Sequence, residues 1–185
     1  MNLASIIQDV QKGSNIARQL LVTTMKGQMM SLCSRYIKDY RDTEECVADG
    51  FRRCMRSLPN FIYESDNQFF CWLKRVMINE CLKKLKKNQP FRMVPETERD
   101  DEGVEPEVFH KLSAEIIHEL IAQLPTGYRA VFNMYVLDGM EHKEIAALLD
   151  IKESSSRSQL ARCKTFLQKK LIENGIKHVS SGSVE

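Results

Sequence analysis

Period-two alternation of apolar and polar residues, the mark of a half-buried strand, is scarce along this chain. Apolar residues recur instead every three to four positions, so the 185-residue protein is expected to be all-helical. Its six cysteines (Cys33, Cys46, Cys54, Cys71, Cys81 and Cys163) form no C-x-x-C pair and no metal-finger spacing. They fall mostly within helical patterns, which suits reduced core thiols in a cytoplasmic protein. No apolar run approaches membrane-spanning length, so direct insertion into a membrane is not expected. The opening MNLASIIQDVQK has no basic stretch leading into an apolar one, and no signal peptide is expected. The four histidines (His110, His118, His142 and His178) are scattered, without an H-E-x-x-H, a phosphate-cradling glycine loop or a G-x-S-x-G. No catalytic residue, metal ligand or cofactor is therefore expected, and enzymatic activity is not. Internal repeats are also missing.

What is present is segregated charge. The formal net charge is only +2, yet residues 74–92 hold seven basic residues against one acidic, Glu80. Residues 96–107 reverse this, with seven acidic residues against one basic, Arg99. A negative connector thus offsets positive elements, a pattern that favours local contact with a polyanion over general stickiness.

The helical periodicity breaks into segments. A first helix is expected over residues 3–11, ending near Gly13, with Ser14 capping a second that carries Ile16, Ala17, Leu20 and Leu21. Gly27 is expected to interrupt that helix before Met30, Cys33 and Ile37 resume the pattern. The next opens at Asp42 or Thr43 and stops before Pro59, with Glu44 and Glu45 suited to the positive end of its dipole. After a loop at residues 60–67, Ser65 or Asp66 caps a long helix over residues 68–87. Pro90, Pro95, Gly103 and Pro106 mark an aperiodic acidic stretch, a linker by composition. A second helical unit begins near Leu112 with Ile116, Ile117, Leu120, Ile121 and Leu124. Pro125 closes its first helix, Thr126 caps the next, and Asp138-Gly139 ends that one. The expected organisation is two small helical domains, residues 1–88 and 112–173, joined by the linker 89–111 and followed by a tail, 174–185.

Two helices have the residues to hold nucleic acid. In residues 141–171 a short helix, a tight turn and a longer helix follow one another. Ser156, Leu160, Cys163 and Leu167 share a face of the longer one and would dock on Ile145, Ala146, Leu149 and Ile151. The opposite stripe is Ser155, Ser158, Arg162, Thr165 and Lys169, flanked by Ser154 and Gln159. That is how a helix-turn-helix presents hydroxyls to phosphate and Arg or Gln to base edges in the major groove. A solvated polar face fits the same pattern. Upstream, Phe69, Phe70, Leu73, Val76, Met77 and Cys81 form the buried face of the long helix. Its outer stripe runs Arg75, Asn79, Lys83 and Lys86, with Lys74 to one side and Trp72 at the border between core and stripe. Basic residues beside aromatics suit a single strand or a melted duplex. The preceding loop, with Phe61, Tyr63 and Asn67, is placed to form a pocket for an unstacked base.

The order of these pieces resembles a bacterial RNA polymerase sigma factor of the extracytoplasmic-function (ECF) type, in the sigma-70 family. DTEECVADGF (42–51) is similar to the family's region 2.2, and FFCWLKRVMINECLKKLKK (69–87) to regions 2.3 and 2.4. LPTGYRAVFNMYVLDGMEHKEIAALLDIKESSSRSQLARCK (124–164) is like region 4. The likeness runs in order over about nine-tenths of the chain, which is far more specific than any one motif. Departures are Ala48 for a usual Gln, Lys83 for Asp, Asp150 for the Gly of the turn, Glu141 for a Ser or Thr cap, and Ser154 to Ser156 for G-T-[VI].

The resemblance implies a region 2-like helical bundle and a region 4-like helix-turn-helix, and a role in promoter recognition, strand opening and transcription initiation. It implies that Asp42, Glu45, Ala48 and Asp49 bind core RNA polymerase, whose clamp and flap regions would be the partner surfaces. Phe61, Tyr63, Asn67, Trp72, Arg75, Asn79, Lys83 and Lys86 would hold the downstream promoter element and the melting junction. Ser154, Ser155, Arg157, Ser158, Gln159, Arg162 and Thr165 would read the upstream promoter element. An anti-sigma protein would cover the factor when idle. The alternative is an ordinary helix-turn-helix regulator that binds a palindrome as a dimer.

Overall fold

The computed structural model describes residues 2–88 and 114–173, and every regular element among them is a helix, with no strand. The chain divides into two compact units, Met1–Pro90 and Phe91–Glu185. The expected linker 89–111, the start near Leu112 and the tail 174–185 lie outside the described residues.

Local chemistry sets the ends of each helix in the first unit. α1 (Leu3–Gln11) starts where the Asn2 side chain accepts from the Ser5 N–H at 2.9 Å, and stops before Gly13, whose φ of 92° only glycine takes freely. Ser14 accepts from the Ala17 N–H at 3.2 Å and so opens α2 (Asn15–Ser34) as expected. α2 passes through Gly27 unbroken. That glycine is exposed with open space around it, and one such residue costs only about 1 kcal/mol, which burial of Met25 and Met29 on either side outweighs. α3 (Tyr40–Ser57) begins earlier than expected: Asp39, not Asp42 or Thr43, is the cap, accepting from the Asp42 N–H at 2.9 Å. Thr43 is instead buried, its hydroxyl donating back to the Asp39 carbonyl at 2.8 Å. A single 3₁₀ turn (Leu58–Asn60) follows, and Ser65 then caps α4 (Asp66–Asn88) through the Gln68 N–H at 3.1 Å.

α2, α3 and α4 pack on one another, and α1 closes against α2 and the 3₁₀ turn. The shared core includes Ile7, Leu21, Met29, Phe51, Leu58, Phe69, Leu73 and Met77. Gly50 is the contact point of α3 with α4, because a Cβ there would overlap the Met77 thioether. Cys33, Cys46 and Cys81 are buried together where α2, α3 and α4 meet, each free, and the Cys81 thiol is pushed up by its hydrogen bonds with Cys33 and Cys46. Burial lifts Cys54 to about 12 and raises Cys163 as well, so these thiols are inert core residues. Cys71 departs from that expectation: it is exposed on α4.

The second unit holds α5 (Ala114–Gln123), α6 (Thr126–Phe132), a π-turn over Asn133–Leu137, α7 (His142–Leu149) and α8 (Glu153–Glu173). Pro125 takes the capping position of α6 and Thr126 is its first helical residue, so the expected Thr126 cap is not formed. Arg129 on α6 is buried, donates to the Leu124 carbonyl at the end of α5 at 3.3 Å, and is lowered from its usual basicity by that burial. α6 and α7 pack on α8 around Val131, Phe132, Ile145, Leu149, Leu160, Cys163 and Leu167. No helix among the described residues is long and apolar enough to cross a membrane.

Candidate nucleic-acid interface

On α4 the 3.6-residue repeat separates an apolar face from a polar one. Phe69, Leu73, Val76, Met77 and Cys81 are buried as expected, and Ile78 and Leu82 join them. Phe70 is only half-buried, with the Lys74 ammonium 5.3 Å from its ring centroid, so it borders the core instead of lying within it. Arg75, Asn79, Lys83 and Lys86 all point outward. Lys83 is tempered by Glu80 at 2.8 Å, and Glu80 also lies 3.6 Å from Arg53 of α3.

The aromatic residues at the start of α4 form a cluster with the loop. Trp72 is half-buried, its ring 4.6 Å from Phe61 at 37° and 5.7 Å from Phe69. Phe61 meets Phe69 edge-on at 5.7 Å and 80°. Phe61 and Trp72 are thus brought together, each with a part of its surface still open. Tyr63 bonds through its hydroxyl to the Asp66 carboxylate, a partner that raises its pKa, and Asn67 is exposed one residue further on. The loop also displays Ile62, 77% exposed, a residue that the sequence pattern alone does not single out. An Ile between two aromatics in a segment without helical period is the one signal of it.

The acidic positions on α3 are partly engaged within the unit. Lys84 of α4 reaches Asp42 at 2.8 Å and also pairs with Glu45, and the Asp42 and Glu45 carboxylates raise its pKa. Asp49 pairs with Arg52, and Ala48 is exposed. Lys84 is not among the residues expected to matter. Its partners lie about forty positions away, a separation that no local pattern reveals.

In the second unit, the turn between α7 and α8 works with Asp150 in place of glycine. Asp150 adopts φ 58° and ψ 51°, and the following Ile151 N–H closes on the Ala146 carbonyl at 3.1 Å. Glu141 stands at the position of the missing Ser or Thr cap, and its N–H donates to the Glu144 carboxylate at 3.2 Å, the returning half of a capping box. The buried face of α8 is Ser156, Leu160, Cys163 and Leu167, as its spacing predicts. Ser154, Arg157 and Ser158 are exposed, while Ser155, Gln159, Arg162 and Thr165 are half-buried along the other side. Arg157 pairs with Glu153 at 2.5 Å. The Ser158 and Thr165 hydroxyls donate to the Ser154 and Ala161 carbonyls at 3.0 and 3.3 Å, which leaves their oxygens facing outward as acceptors.

One polar contact lies underneath this face. His142 Nδ1 is 2.9 Å from the Ser156 hydroxyl, and its ring stacks on Tyr135 at 4.4 Å and 19°. Burial, aided by Arg157, lowers the pKa of His142. Among the described residues no group of His, Cys, Asp and Glu could hold a metal ion.

Each unit thus presents an outward helical face with basic residues, and each unit also matches a known family. Residues 21–91 match the family model for Sigma-70 region 2, and residues 114–167 match that for Sigma-70, region 4. Over 183 residues the chain is 27% identical to the ECF RNA polymerase sigma-E factor of Escherichia coli (strain K12), spanning 90% of this chain and 92% of that protein. It is 23% identical over 181 residues to the RNA polymerase sigma-H factor of Pseudomonas aeruginosa, again spanning 90% and 92%. A similar fold is found in the solved structure of CnrH in complex with the cytosolic domain of CnrY. The TM-score is 0.52 at 19% identity, over 91% of this chain and 96% of that one.

Proposed function

The chain belongs to the ECF type of the sigma-70 family, and from that membership and the two outward helical faces we infer how its residues share the work of a sigma factor. It is an RNA polymerase sigma factor, a transcription initiation factor rather than a catalyst, and the dimeric regulator is not favoured by the comparisons. In our reading residues 1–88 and 112–173 are the two working domains, the acidic segment 89–111 tethers them, and 174–185 is a tail. Asp42, Glu45, Ala48 and Asp49 on α3 dock on core polymerase at its clamp. The aromatic pair Phe61 and Trp72, with Tyr63 and Asn67, receives an unstacked base of the downstream promoter element. Arg75, Asn79, Lys83 and Lys86 track the separated strand. Ser154, Ser155, Arg157, Ser158, Gln159, Arg162 and Thr165 on α8 read the upstream element.

The observation that carries this reading is the outward placement of Arg75, Asn79, Lys83 and Lys86 beside a half-open aromatic cluster. Such a surface binds strands through charge and stacking, whereas a hydroxyl and arginine face on a helix-turn-helix suits intact duplex. Each surface is small, so affinity arises when both are tethered on polymerase and their effective concentrations combine. Action on promoter DNA places the protein in the cytoplasm. A covering partner is supported by the similar fold of CnrH, seen in complex with the cytosolic domain of CnrY. We take that partner to be an anti-sigma protein.

Run-off transcription with core polymerase on genomic fragments, with and without this chain, tests the reading. Promoter-selective initiation that depends on the chain is the expected result. Tight, sequence-selective duplex binding by a stable dimer of the free protein would overturn it.

A further inference from the structure

α1 precedes residue 21, where the region 2 match begins, and none of the residues assigned above to promoter contact lies on it. It is nevertheless firmly seated, because Ile6, Ile7 and Val10 are buried in the first unit. Its last residue, Gln11, is half-buried and directs its carboxamide at the segment leading into the loop. Gln11 Nε2 donates to the Leu58 carbonyl at 3.0 Å and to the Phe61 carbonyl at 2.8 Å. A carboxamide nitrogen carries two hydrogens, and both are used here. The two carbonyls bracket the 3₁₀ turn, which is itself closed by the Phe61 N–H on Leu58 at 3.0 Å.

The point where the loop leaves the core is therefore set from three directions. Leu58 is fully buried beneath it, the Phe61 ring lies on Trp72, and Gln11 holds the backbone on both sides of the turn. The next residue, Ile62, is 77% exposed. We propose that Gln11 is a positioning residue for promoter opening, which holds the mouth of the 61–65 loop in the shape that receives an extruded base. The inference rests on the reading of that loop as the base holder. A loop that must be ordered at the moment of capture loses binding free energy to its ordering, whereas a loop pinned in advance does not. Leucine fills the same space without donors, and glutamate turns an acceptor toward two carbonyls.

The test uses the full chain with core polymerase and single-stranded oligonucleotides of the non-template downstream element, with all four bases tried at each position. Gln11→Leu and Gln11→Glu are compared with Tyr63→Ala, a change in the loop itself, and with Ile7→Val, a control for the seating of α1. Loss of two neutral hydrogen bonds that pre-shape the loop is expected to weaken the preferred oligonucleotide about tenfold and to flatten base preference. Run-off from a promoter already opened as a bubble should be spared relative to the fully paired one, and thermal unfolding little changed. Ile7→Val should lower the unfolding temperature and keep the base preference. Base preference retained in both Gln11 variants but lost in Tyr63→Ala overturns the role of Gln11 and leaves the loop reading intact. Retention in all of them sinks the loop reading and this proposal with it. Flattening in Ile7→Val as deep as in the Gln11 variants reduces Gln11 to a structural residue and also overturns the proposal.

Discussion

α4 and α8 are both long outward-facing helices, but they are seated by different chemistry. Beneath α4 the contacts are apolar or thiol, from Phe69, Leu73, Met77 and Cys81, and its neighbouring charges are managed at the surface by Asp42, Glu45 and Glu80. Beneath α8 the apolar run of Leu160, Cys163 and Leu167 begins with a buried polar pair, Ser156 and His142, next to a left-handed aspartate. The first arrangement has no histidine in its seat and suits a surface that holds melted strands by charge and stacking. The second fixes the angle of a reading helix through directional contacts, which makes it more exacting and more easily disturbed.

Deleting core side chains should give the largest effects and test whether the two units are independent. Phe69→Ala is expected to cost the first unit about 3–5 kcal/mol, and Leu167→Ala to cost the second about 2–5 kcal/mol. Denaturant unfolding followed by a probe in each unit should show each change moving one transition only. A single transition that shifts with both would erase the contrast.

Function divides along the same line at smaller cost. Arg162→Ala should alter which promoters respond, with about 1–3 kcal/mol lost on promoters that place a guanine opposite it. Arg75→Ala or Lys86→Ala should weaken opening on every promoter alike. Each should also reduce the slope of log affinity against log salt by about 1, because one phosphate is then left to its counterions. Run-off transcription on a panel of promoters, repeated across a salt series, measures both. Uniform loss from all three changes would refute the division of labour.

The turn below α8 offers a gentler test. At φ 58° Asp150 carries part of the penalty that L-residues meet in the left-handed region, and Asp150→Gly relieves it. Glycine loses more chain entropy on folding, so the net gain is expected to be at most about 1 kcal/mol in the second unit. No change in the first unit should accompany it. Destabilisation by Asp150→Gly would mean that the Asp150 side chain supports the turn directly.

How much of the structure is legible in the sequence follows from the range of the interactions involved. Ser14 and Ser65 cap their helices through bonds three residues long, and both stand out in the sequence. The face formed by Ser156, Leu160, Cys163 and Leu167 follows from the helical repeat alone. The start of α3 is misread in sequence because Asp42 and Thr43 are both sound cap types, whereas the Asp39 side chain takes the Asp42 N–H and Thr43 is buried inside the helix. Gly27 reads as a break because propensity is local, whereas Met25 and Met29 on the buried side are held by tertiary packing. In the candidate site, the outward stripe of α4 is legible from spacing. Lys84 with Asp42, and Gln11 with Leu58 and Phe61, join residues about forty or more positions apart and leave no local trace.

The smallest expected effect is also the most specific to the α8 junction. His142 titrates near 6.5 when unfolded, and burial together with Arg157 lowers that value in the folded unit, with Glu153 opposing in part. Tyr135 stacks on the ring and Ser156 bonds to Nδ1, and neither adds charge. Above about pH 6.5 the imidazole is neutral in both states, so the contribution of the pair to stability is fully present. As pH falls through 6.5 the unfolded chain takes up a proton that the folded unit resists, and that contribution drains away until the folded pKa is passed. Denaturant unfolding of the second unit between about pH 8 and about pH 5 should show stability falling on the acid side, and His142→Gln should flatten that part of the curve. The first unit, with no histidine in its described residues, should lack this inflection near pH 6.5 in the same experiment. An undiminished slope in the glutamine variant would show that some other group governs the junction, and the polar seat of α8 would cease to distinguish it from α4.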